Sequence, residues 1–187
     1  MLAESFCPTF DCQHLVEIFN QNFAASFHTE LVAGGNEPLY SPAQGQQKAR
    51  IVFAHDYFSS ALHEISHWLI AGAERRQLED YGYWYAPDGR DASQQAAFEK
   101  VEVAPQALEW ILTKACGKPF RLSLDNLSGE CGDSKAFAEA VLQRVGGMAE
   151  QGLPERAALM RQALVNFYHT PATLSAADFC LEEIYRS

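Results

Sequence analysis

Apolar residues recur at three- and four-residue intervals along several stretches of the chain, and each such stretch predicts a helix with one buried face. Between Cys12 and Phe27, Leu15, Ile18, Phe19 and Phe23 share one side of a helix, and Asp11 is placed to cap its start. Glu30 to Ala33 and Pro38 to Tyr40 flank Gly34-Gly35-Asn36 and read as two short strands joined by a turn. Arg50-Ile51-Val52-Phe53-Ala54 predicts a third strand, apolar enough to be central in a sheet. It leads into Phe58 to Ala71, where Ala61, Leu62, Ile65, Trp68 and Leu69 keep helical spacing without Gly or Pro. Gly72 ends this helix, and Ser59 or Ser60 is available to cap it.

Asp80 to Tyr85 is aromatic and β-prone, and Ala86 to Asp91 carries turn chemistry ahead of a helix from about Ser93 to Ala115. Pro105 falls inside that helix and is expected to kink or divide it, with Phe98, Glu99, Val101 and Glu102 on the first segment and Leu108, Trp110, Ile111 and Leu112 on the second. Phe120 to Leu124 predicts another strand. The last third predicts helices over Ser134 to Val145 and Pro154 to Tyr168, and a short one after Ser175. No repeat, heptad seam or long linker divides the chain, so the expectation is one compact α+β domain over residues 1–187, a small mixed β-sheet surrounded by helices.

A chain of 187 residues with 48% hydrophobic composition buries roughly 70% of its extended surface unaided, so a bound metal is free for catalysis rather than needed for folding. No apolar run approaches the ~20 residues of a membrane span. Met1-Leu2-Ala3-Glu4-Ser5 lacks the basic start and apolar stretch of a secretory signal, and the cytoplasm is the expected location. The five cysteines, Cys7, Cys12, Cys116, Cys131 and Cys180, are scattered without a CxxC pair and read as reduced thiols; the sequence assigns Cys131 no partner that would make it a nucleophile. Fourteen basic against twenty-four acidic residues, net charge −10, argue against stable nucleic-acid binding and favour a cationic substrate. The basic pairs Lys48/Arg50 and Arg75/Arg76 read as solvated surface, with a limited contact to an acidic protein or RNA as the alternative.

The chemistry concentrates in His63-Glu64-Ile65-Ser66-His67. On a helix, residues four apart lie about 6 Å from each other on one face, close enough for two imidazoles to reach one ion at about 2.1 Å. A catalytic metal takes a third protein ligand, and Glu99 and Glu102, one turn apart on the following helix, are the candidates. Glu102 is preferred because Val101 and Val103 flank it, and a carboxylate in an apolar stretch is costly unless it meets a cation; Glu99 adjoins Lys100. His55 precedes the motif helix and reads first as a locally bonded strand-end residue, with an approach to the ion or a substrate as the alternative. His169 reads as a cation at a helix C-terminus, and His14 and His28 carry no visible signal. HExxH with a distant glutamate suits a zinc metallopeptidase with Glu64 as general base on zinc-bound water. The same three ligands also form a 2-His-1-carboxylate set suited to non-haem Fe(II), and ligand identity does not separate the two.

Beyond the pentapeptide, four segments resemble the bacterial elongation factor P hydroxylase family: Arg50 to His55, Ala61 to Trp68, Asp80 to Ala92, and Phe98 to Leu108. The resemblance covers nearly the whole chain. It implies a protein-modifying monooxygenase that uses O2 to hydroxylate the β-lysylated lysine of elongation factor P, with His63, His67 and Glu102 on the family's ligand positions and iron as the metal. It also implies a fold similar to a small metal-dependent endoribonuclease. Under this reading Glu64 becomes an auxiliary catalytic group that orients oxygen or pairs with a substrate amine. Asp88 and Asp91 are read as turn or capping residues before substrate contacts, and Tyr83, Trp84 and Tyr85 as core strand residues before channel lining. Zinc peptidase and metal-dependent endoribonuclease are the alternative functions.

Overall fold

The apolar run at Arg50 to Ala54 does become the middle of a sheet, in a computed structural model that describes residues 10–79, 92–123 and 134–185. Three strands, β1 (Thr29–Gly35), β2 (Leu39–Ser41) and β3 (Ala49–Ala54), lie in the order β1-β3-β2. β1 pairs with β3 in parallel, Leu31 opposite Ile51, while β2 pairs with β3 antiparallel, Tyr40 opposite Ile51. The turn at Gly34-Gly35-Asn36 therefore does not close a hairpin: it carries the chain past the end of β3, so that β1 and β2 become opposite edges. The crossing needs glycine twice. Gly34 has φ of +97°, and a Cβ on Gly35 would lie 2.7 Å from the Glu37 carbonyl and 2.8 Å from a Val52 methyl.

Helix α1 (Cys12–Phe23) starts where expected, with the Asp11 side chain accepting from the Gln13 amide, and ends a turn earlier than expected. It buries Leu15, Ile18, Phe19 and Phe23 against the sheet face that presents Leu31, Ile51 and Phe53. Asn20 crosses to the open side of β1, accepting from the Leu31 amide at 2.8 Å and donating to its carbonyl at 3.2 Å. One amide side chain thus does for the edge what a fourth strand would do.

β3 feeds α2 (Phe58–Ile70) through His55 and Asp56, both left-handed at φ of 57° and 53°. Neither serine caps this helix. The Ser60 hydroxyl accepts instead from the Ala54 amide at 3.1 Å, tying the strand end to the helix start. At the other end the Ala71 carbonyl accepts from Arg76 and Arg156, each at 2.6 Å, and the Arg156 guanidinium lies 4.6 Å over Trp68. Arg76 therefore satisfies the helix terminus rather than standing in solvent. Burial and the neighbouring Arg76 bring the Arg156 pKa down to about 10. Lys48 and Arg50 share Glu30 in long surface ion pairs of 3.9 and 3.7 Å.

Pro105 neither divides nor ends its helix: α3 (Ala92–Ala115) runs unbroken for 24 residues. The carbonyl that loses its partner belongs to Val101, one of the exposed residues of the helix. Residues 120–123 form no strand. Phe120 stacks on Trp110 at 5.2 Å, and Gln106 holds the Ser123 backbone with two hydrogen bonds, a pairing that replaces the expected ladder. Helices α4 (Ser134–Gln151), α5 (Glu155–Tyr168) and α6 (Leu181–Tyr185) pack against the far side. His169 ends α5 in a left-handed conformation at φ of 55°. The architecture is α+β, a three-stranded mixed sheet with helices around it. Among the described residues no helix is long and apolar enough to cross a membrane. The expected strand at 80–85, the turn at 86–91, and with them Tyr83, Trp84, Tyr85, Asp88 and Asp91, lie outside the described residues, as do Cys7, Leu124 and Cys131.

Candidate metal centre

Two helices build the site. On α2, Ala61, Leu62, Ile65, Trp68 and Leu69 anchor one face in the core, which turns His63 and His67 together toward α3. On α3 the inward face is unusual, because it buries polar residues at helical spacing: Gln95, Glu102, Gln106, Glu109 and Thr113. Ordinary amphipathic helices bury apolar residues there, so each of these groups needs a partner.

Glu102 meets both histidines. His67 Nε2 lies 3.2 Å from Glu102 Oε1, His63 Nε2 lies 3.6 Å from Glu102 Oε2, and the two Nε2 atoms are 3.1 Å apart. A ligand set of radius about 2.1 Å has adjacent donors about 3.0 Å apart when octahedral and about 3.4 Å apart when tetrahedral. Two of the three separations lie in that range and the one from His63 to Glu102 lies just above it, so the trio comes close to the ligand spacing of a divalent first-row metal without preferring six ligands or four. Glu102 itself is only 5% exposed, and its Oε2 is buried without a hydrogen bond. An acceptor in that position costs about 1–3 kcal/mol unless a cation reaches it. Glu99 turns elsewhere and accepts from Gln95 at 3.0 Å. Between the two candidates for third ligand, the structure brings Glu102 into the cluster and leaves Glu99 out.

The electrostatics agree with a cation-binding role. Burial alone would raise the Glu102 carboxyl, but its hydrogen bond with His67 and the charges of His67 and His63 hold it below the usual carboxylate value. At His63, burial opposes the proton, yet the hydrogen bond to Glu109 and the charges of Glu109, Glu102 and Glu64 outweigh it and push the pKa up to about 10. The carboxylates around His63 thus favour a positive charge at this position.

Glu109 was not among the residues expected from the sequence. It lies two turns beyond Glu102 on α3, 6% exposed, and its Oε2 meets His63 Nδ1 at 2.9 Å. The signal was present: Glu109 is a single acid inside Ala107-Leu108-Glu109-Trp110-Ile111-Leu112, a more apolar setting than the one that singled out Glu102. Glu64 is partly buried on α2 and acts on His63 through its charge, but it is not one of the clustered donors. His55 is exposed in the connection between β3 and α2 and does not join the cluster.

Comparison with known proteins points the same way as the site. A family model described as Elongation factor P hydroxylase matches residues 18–179. A protein of Haemophilus influenzae named Elongation factor P lysine hydroxylase is 52% identical over 168 residues, covering 89% of this chain and 94% of its own length.

Proposed function

The chain belongs to the elongation factor P hydroxylase family, and on that premise we propose that it adds one oxygen atom to the β-lysylated lysine of elongation factor P at a non-haem Fe(II) held by His63, His67 and Glu102. It is a protein-modifying hydroxylase acting on elongation factor P. The observation that carries the metal site is the convergence of two imidazole nitrogens and one buried carboxylate within 4.8 Å; iron rather than zinc follows from membership in a hydroxylase family, whose reaction needs a redox-active ion. Bound there, Fe(II) supplies the redox chemistry that couples O2 to a C–H bond. One oxygen atom enters that bond, and the other leaves as water, with two electrons and two protons from an external donor.

The chain's own residues do the positioning. His63 and His67 present Nε2 atoms from a helix held rigid by the core, and Glu102 offers its carboxylate from α3. Glu64 adds a negative charge beside His63 that suits the ammonium groups of a β-lysyl extension. The net charge of −10 supports the same substrate polarity and speaks against stable nucleic-acid binding. The substrate is a translation factor, so the enzyme works in the cytoplasm. A fold likeness to a small metal-dependent endoribonuclease belongs to this proposal, supported by a small mixed sheet feeding an HExxH helix.

The test is anaerobic Fe(II) reconstitution followed by exposure to O2, a reductant and β-lysylated elongation factor P, read by intact-protein mass spectrometry. One added oxygen is expected with the wild type and none with His63→Ala. An undiminished yield from that variant overturns the site assignment. Peptide cleavage with zinc, or RNA cleavage lost in His67→Ala, would replace the hydroxylase reading by the peptidase or endoribonuclease one.

A further inference from the structure

Imidazole has two nitrogens, and a metal ligand must present a lone pair on one while its proton stays on the other. Left alone, neutral histidine samples both tautomers and the ring turns about its side-chain bonds. His63 is not left alone: the Glu109 carboxylate sits 2.9 Å from Nδ1, on the side of the ring away from the cluster. Glu109 is 6% exposed and comes from the same helix as Glu102, seven residues on, so a single rigid element supplies both the candidate ligand and the group behind the other ligand. Among the described residues the contacts of His67 fall on Nε2, and its side chain is 37% exposed against 20% for His63.

We propose that Glu109 is a positioning residue that fixes His63 as the Nδ1–H tautomer and makes it the anchoring ligand of the metal. This rests on the assignment of His63, His67 and Glu102 as the ligands. A carboxylate behind a ligating imidazole holds the ring orientation and increases electron donation from the opposite nitrogen; its loss costs about 10- to 100-fold in metal affinity. Ala107, Leu108, Trp110, Ile111 and Leu112 beside it in sequence are apolar, and the side-chain hydrogen bond that Glu109 makes among the described residues is the one to His63.

The experiment titrates metal-free full-length protein with Co(II) against a competing chelator, for the wild type, Glu109→Gln, Glu109→Ala and His63→Ala, and records long-range proton–nitrogen NMR spectra of the Zn(II)-loaded forms. The expected result is a loss of about 10- to 100-fold in affinity for Glu109→Ala and a smaller loss for Glu109→Gln, whose side-chain oxygen still accepts from Nδ1–H. In wild-type protein the His63 Nδ1 signal should be that of a protonated nitrogen. The glutamine variant keeps the shape of the buried side chain, so it answers the question even where the alanine variant fails to fold. Unchanged affinity in both Glu109 variants, with binding abolished in His63→Ala, overturns the role of Glu109 alone. Unchanged affinity in His63→Ala overturns the ligand assignment beneath it.

Discussion

Metal binding at this site should be coupled to the release of one proton. His63 holds its proton up to about pH 10 in the metal-free protein, because its hydrogen bond to Glu109 and three nearby carboxylates outweigh the cost of burying the charge. A metal needs the lone pair that this proton occupies. The Glu102 carboxyl is held below its ordinary value, so it is already ionised at neutral pH and gives up nothing. The count is therefore about one proton per ion from this pair, and between pH 7.5 and 9 the association constant should rise about tenfold per pH unit, about 1.4 kcal/mol each. The effect on the metal-free fold has the opposite sign. Because the folded pKa of His63 lies above its unfolded 6.5, the stabilisation from its charged form is complete below pH 6.5 and is lost as pH climbs through about 10. Isothermal titration with Zn(II) in buffers of different ionisation enthalpy counts the released protons, and the same titration across pH gives the slope. Binding enthalpies that do not depend on the buffer, together with an affinity flat from pH 7.5 to 9, would refute the proton-storing arrangement.

Glu64→Gln separates the two chemistries of the motif: as a hydrolytic general base its loss should lower turnover by about 10²- to 10⁴-fold, whereas in the hydroxylase it should leave metal affinity nearly intact and raise KM for the cationic substrate more than it lowers kcat. Steady-state kinetics with the modified translation factor decide between them. Asn20→Ala leaves both Leu31 backbone groups unpaired at the β1 edge and should cost about 1–3 kcal/mol, read as a fall in the thermal midpoint of about 2–4 °C per kcal/mol. Ser60→Ala should cost about 1 kcal/mol by orphaning the Ala54 amide, while the exposed Ser59→Ala should be close to neutral in the same denaturation assay; equal effects would restore the capping role that the structure denies.

Local signals in the sequence located the elements well where one face alone decides their form. The Leu15, Ile18, Phe19, Phe23 stripe and the apolar run of β3 both fold as their periodicity requires, because burying that stripe dominates every competing term. Connections were less legible. Whether Gly34-Gly35-Asn36 closes a hairpin or crosses a strand depends on β3, which lies later in the chain and occupies the place beside β1. Pro105 shows the same limit from the other side: the cost of its missing amide depends on whether the freed carbonyl faces water, and that is set by packing. Phe120 to Leu124 has a strand's composition, yet Gln106 supplies the hydrogen bonds at Ser123 that a neighbouring strand would have made.

The candidate site was half legible, for a reason that lies in helix geometry. His63 and His67 announce themselves because both partners sit within one turn, and a four-residue spacing is visible without knowing any other part of the fold. Apart from the family resemblance, Glu102 is ranked above Glu99 by the cost of burying a carboxylate, a criterion that needs no knowledge of α2. Applied along the whole of α3, that criterion also selects Glu109, since the acid between Leu108 and Trp110 has no exposed side on which to escape. What it cannot give is the assignment of partners. Glu102 and Glu109 lie seven residues apart on one face of α3, His63 and His67 four apart on one face of α2, and the packing of the two helices puts Glu102 at the Nε2 atoms and Glu109 behind His63 at Nδ1. Two spacings visible in one dimension thus become a ligand cluster and its support only when the helices meet, and the burial that makes both carboxylates costly is the same burial that shields a bound cation from water.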